Sequence, residues 1–101
     1  MDGLTVLVVD KEVEERTRLL LCLRRLGMRA LGVDYVFDAM ALLEALDADV
    51  TLVRSDDDDS ALESLREKAR VVKVDRATPV DEAVVALLRA LGRPDAAAMI
   101  N

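Results

Sequence analysis

Thr5-Val6-Leu7-Val8-Val9-Asp10-Lys11-Glu12 is an apolar run that ends abruptly in three charged residues. A strand that is apolar at every position, and not at every second one, is covered on both faces, which is the mark of a parallel sheet flanked by helices. In such sheets the functional site lies just beyond the carboxyl ends of the strands. Asp10, Lys11 and Glu12 therefore stand where chemistry is expected.

Working outward, the sequence alternates strand and helix with little between them. Residues 13–26 form a first helix, with Glu14 and Glu15 in its opening turn, Arg24 and Arg25 in its last, and Gly27 as its stop. Leu19, Leu20, Leu23 and Leu26 share one face. Leu21 points almost the opposite way, with Cys22 on the flank. Residues 28–33 read as a second strand weakened by Arg29 and Gly32, hence at a sheet edge. Asp34 is placed to cap a helix running to about Leu46, with Val36, Met40 and Leu43 inward. Val50–Val53 is a third covered strand, ending in Arg54, Ser55 and the four aspartates Asp56–Asp59. Ser60 and Glu63 make an S-x-x-E capping box for a short third helix, so the acidic run reads as a solvated capping loop and not a cation site. Arg70–Val74 is a fourth strand. Thr78-Pro79 then starts a last helix, with Thr78 as cap, that Gly92 and Pro94 stop.

Four βα units with right-handed crossovers predict an α/β three-layer sandwich. Its sheet is parallel and four-stranded in the order 2-1-3-4, with the first and last helices on one side and the middle two on the other. With 101 residues this is a single domain, assigned to 1–94 with 95–101 as a tail. Hydrophobic residues make up 52% but include only one Phe and one Tyr, so Val, Leu and Ala must build the core. A net charge of −6 argues against a nucleic-acid surface, which needs clustered Lys and Arg. No apolar stretch is long enough to span a membrane, and the amino terminus carries acid where a secretion signal carries base. A cytoplasmic protein is expected. With no histidine, no G-x-G-x-x-G, no Walker A motif and one mid-helix cysteine, the chain offers neither an enzyme nor a cofactor site.

Val6–Glu12, the Leu23-x-x-Leu26-Gly27 helix end, the Asp38–Leu46 helix and Ala48–Val53 resemble the first three βα units of bacterial response-regulator receiver domains. That family transfers a phosphoryl group from a histidine kinase to an aspartate at the end of the third strand. Two acids after the first strand hold Mg²⁺, and a hydroxyl residue after the fourth strand and a lysine after the fifth sense the phosphate. By this resemblance Asp10 matches the first acid, Lys11 stands at the second, and Arg54, followed by Ser55, stands at the phosphoacceptor. Each departure puts a cation where the family has an anion, which disables the Mg²⁺ site, and one βα unit is missing. Lys73 and Thr78 are distant counterparts of the sensing lysine and hydroxyl.

The resemblance implies a degenerate, shortened pseudo-receiver that works by protein contact without phosphorylation. The alternative is phosphotransfer through Asp10, Asp49 or Asp56. In the simplest reading of the charges, Lys11 and Arg54 pair with Asp10 and Asp56; in another, the two cations hold a small anion. The expected partner is a second copy. The exposed edge of strand four at Val72, a flat uncharged row of Ala83, Ala86 and Ala90 on the last helix, and Leu21 on the first supply the surface.

Overall fold

A computed structural model describes residues 3–56 and 60–93. Eight elements alternate along the chain: β1 (Thr5–Val9), α1 (Val13–Arg25), β2 (Arg29–Val33), α2 (Val36–Leu43), β3 (Val50–Arg54), α3 (Ser60–Lys68), β4 (Val71–Val74) and α4 (Val80–Ala90). The strands form one parallel sheet in the order β2-β1-β3-β4, with Val6 beside both Ala30 and Val50, and Leu52 beside Val72.

The apolar runs dictate this order. β1 and β3 are buried almost throughout, so they take the centre. β2 exposes Arg29, Leu31 and Gly32, and β4 is half-buried at every position, so these two take the edges. Alternation along the strands divides the core between the two faces. Val6, Val8, Val50 and Leu52 pack with Leu19 and Leu23 of α1 and with Val84, Leu87 and Leu88 of α4. Leu7, Val9 and Val53 pack with Ala39 of α2 and with Leu62 and Leu65 of α3. Each fully buried Leu or Val contributes about 1.5–3 kcal/mol. Strand alternation also puts Thr51 on the α2–α3 face with Val53. Its hydroxyl is buried and has no hydrogen-bond partner among the described residues.

α1 and α4 end in the same way. Gly27 and Gly92 take positive φ, at 91° and 72°. Their amides donate to Arg24 and Arg89, and the next residues, Met28 and Arg93, donate to the carbonyls of Leu23 and Leu88. This is the Schellman arrangement, which glycine enters without a Cβ penalty. Cys22 packs against the α1–α4 core, and burial pushes its thiol pKa up, in keeping with a packing role.

Three helix boundaries and one face differ from the sequence expectation. α2 closes at Leu43, and at its start it is capped by the Tyr35 backbone with no side-chain bond, since the Asp34 carboxylate is ion-paired with Arg16. α4 begins after Pro79, which takes the cap position in place of Thr78. Ser60 is already inside α3. Ala83, assigned to an exposed row, is fully buried in the α1–α4 core: α4 packs on α1 as well as on the sheet, so its covered arc extends beyond the Val84, Leu87 and Leu88 stripe. Asp57–Asp59 and the 95–101 tail lie outside the described residues.

Candidate functional site

The carboxyl ends of β1 and β3 meet at one buried ion pair. Asp10 follows β1 and is pinned there by its amide, which donates to Val33 O at 3.0 Å. Its side chain is 1% exposed, and both carboxylate oxygens are engaged. Oδ1 accepts the Glu12 amide at 3.0 Å, turning the chain into α1, and Oδ2 accepts Arg54 Nη1 at 3.1 Å. Arg54, the last residue of β3, is 7% exposed, and its Nε donates to Thr78 O at 3.0 Å. One guanidinium thus ties the end of β1 to the loop between β4 and α4. Removing two charges from water is costly unless each is paired and hydrogen-bonded, and here they are.

A second layer lies outside the first. Arg76, in the same β4–α4 loop, donates through Nε to Glu12 Oε1 at 2.6 Å, and its amide donates to Asp56 Oδ1 at 3.2 Å. The Arg76 hydrogen bond holds the Glu12 carboxyl below the usual carboxylate range, and the same bond raises the Arg76 pKa. On the opposite flank Arg16 Nη1 donates to Asp10 O at 2.7 Å and also pairs with Asp34. Its stem lies over Gly32, where an added Cβ would fall 2.9 Å from Arg16 Cδ. Gly32 weakens β2 as a strand and gives Arg16 its route to the site.

The structure therefore joins Asp10 with Arg54, but it does not recruit Lys11. Lys11 is exposed and makes no ion pair among the described residues, which corrects the reading in which it neutralises an aspartate of the pocket. Asp56 is engaged by a backbone amide and not by Arg54. Ser55 is half-buried, with its amide bonded to Val74 O at 3.1 Å. Asp49 is at the other end of the sheet, where its carboxylate accepts the Thr5 amide at 2.7 Å. Lys73 lies within β4 beside Val53, one residue short of the strand end. The donor set does not fit Mg²⁺: the Asp10 carboxylate has both oxygens occupied, a guanidinium stands beside it, and Glu12 is held by Arg76.

Next to this ion pair opens a cleft of about 380 Å³ that the sequence did not reveal. Val9, Val53 and Leu62 line it, together with Lys11, Ser55 and Asp38, and Tyr35 and Phe37 stand at its mouth, 60% and 79% exposed. The available signal was local: Tyr35 and Phe37 bracket the inward-facing Val36, so both turn away from the core. Of the expected contact surface, Leu21 is 47% exposed, and Val72, Ala86 and Ala90 are half-buried. Ala86 shares a shallow depression with Asp81, Glu82 and Arg89, so the alanine row is not the uncharged strip that spacing suggested.

No protein-family model matches the sequence, and no curated protein matches it. Solved structures do match its fold. The MaeR response regulator bound to beryllium trifluoride superposes with a TM-score of 0.61 at 18% identity, over 87% of this chain and 76% of that one. A response regulator receiver protein from Burkholderia phymatum superposes with a TM-score of 0.56 at 15% identity, over 89% of this chain and 96% of that one. At these identities the likeness is one of fold. The chain has the receiver fold, an α/β sheet in the order 2-1-3-4 with helices on both faces, in a shortened form.

Proposed function

We propose that the chain is a phosphorylation-independent pseudo-receiver, a cytoplasmic module of bacterial signalling that acts by protein contact and performs no reaction of its own. The buried Asp10–Arg54 bridge carries this reading. In receivers the residue at the end of the third strand accepts the phosphoryl group, and the loop after the fourth strand responds to it. Here that residue is an arginine, whose guanidinium offers no nucleophilic oxygen. Its Nε already holds the loop after β4 through Thr78 O. The loop is thus tied by the sequence itself and needs no modification to hold it. With nothing to switch, what remains is a surface, and the partner we assign to it is a second copy of the chain and not nucleic acid.

Incubation with acetyl phosphate and Mg²⁺, followed by intact-mass measurement, tests this. The expected spectrum shows the unmodified chain under conditions that label an active receiver. A phosphoryl adduct that disappears in Asp10→Asn, Asp49→Asn or Asp56→Asn would overturn it.

A further inference from the structure

The chain's single Phe and single Tyr are both at the surface, although an aromatic ring is the largest apolar group a core can bury. Exposed aromatics beside a hole are the usual anchors of protein interfaces. Phe37 is the more exposed of the two, and it stands at the mouth of the cleft floored by Val9, Val53 and Leu62. Four charged residues line this cleft; Asp34 and Arg54 are paired within the chain, which leaves Lys11 and Asp38. Neither side chain has a hydrogen bond or ion pair among the described residues, whereas Asp10, Glu12, Arg16, Asp34 and Arg76 around them are all paired.

The patch therefore carries a knob and a hole, with a cation and an anion that are both unpaired among the described residues. Each feature has its complement on the same patch. A twofold interface requires this, because one surface must fit a copy of itself. An anionic small molecule fits less well, since Asp34 and Asp38 line the same cleft as Lys11. We infer that a second copy of this chain docks here about a twofold axis, with Phe37 of each protomer entering the other's cleft and Lys11 facing the partner's Asp38. The inference rests on the self-association proposed above and moves its surface from β4 and α4 to the carboxyl end of the sheet.

Sedimentation equilibrium on the full chain tests it. The wild type is expected to be a dimer at tens of micromolar. Lys11→Asp and Asp38→Lys should each weaken it by about tenfold or more, because each sets like charges face to face twice per dimer. Mixing these two variants should restore association as a heterodimer, since each then supplies the charge the other needs. That rescue also shows that both variants are folded. Phe37→Ser should weaken the dimer with no rescue by mixing. A wild-type monomer at all concentrations would overturn both this inference and self-association. A dimer that survives Lys11→Asp but dissociates in Ala86→Glu would overturn the cleft alone and return the contact to α4.

Discussion

Thr51 and Arg54 stand near opposite ends of β3, both polar and both buried, yet only one of them is provided for. The Thr51 hydroxyl has no partner among the described residues, whereas Arg54 reaches a carboxylate and a carbonyl. The size of the desolvation cost explains the difference. An unsatisfied hydroxyl costs about 1–3 kcal/mol, which a domain absorbs. An unpaired buried ion costs several, a large fraction of what holds a domain together. At the amino end of β3, then, polarity is a tolerated flaw in a packed core. At the carboxyl end it is an organised site in which the buried guanidinium has a carboxylate and a carbonyl to meet it.

The strongest way to break this contrast is Arg54→Ala, which leaves Asp10 buried and unpaired. Urea unfolding should show a loss of about 3–5 kcal/mol, and the double variant Asp10→Asn/Arg54→Met should recover much of it. An Arg54→Ala variant as stable as the wild type would mean that Asp10 finds other solvation and that the bridge is incidental. A smaller effect of opposite sign sharpens the other end. Thr51→Val keeps the shape and removes the orphaned hydroxyl, so stability should rise by about 1 kcal/mol; a fall would show that the hydroxyl has a partner after all.

The smallest effect belongs to Glu12→Gln, which breaks the exposed Glu12–Arg76 pair between the loops that the buried bridge also joins. Because Arg76 depresses the Glu12 pKa, the contribution of the carboxylate is fully present above the usual carboxylate range and is lost as pH falls through its lower folded value. The gap between wild type and variant should be small at neutral pH, close on acidification, and shrink with added salt.

The layers of the fold were legible because their signal is repetitive. Val6–Val9 and Val50–Val53 announce covered strands, the leucine spacing of α1 announces a face, and Gly27 and Gly92 announce the helix ends. The position of Arg54 at the strand end was legible too, since register follows from those runs. What stayed hidden depends on competition between groups far apart in sequence. Asp34 looks like a helix cap until Arg16, across β2, claims its carboxylate. Thr78 looks like a cap until Pro79 takes that place and the Thr78 carbonyl serves Arg54. Ala83 falls off the helical stripe on a wheel, but a wheel does not show that α4 is covered from two directions. The cleft stayed hidden because residues of β1, α2, β3 and α3 line it together, and the spacing within any one of them does not show how their ends meet.

The bridge between Asp10 and Arg54 also bears on how long the folded state lasts. It joins residues 44 apart, at the junction of β1 with β3, a longer separation than that of β1 from β2 or β3 from β4. Loop-closure entropy rises by about 0.6 kcal/mol for each doubling of length, so this seam is the costliest in the sheet to bring together. Once the two strands have met, the ion pair closes with no further loop to shut. Arg54→Ala tests the timing of that contact: a bridge that closes after the transition state leaves the folding rate unchanged and speeds unfolding when removed, which the two arms of a chevron would show.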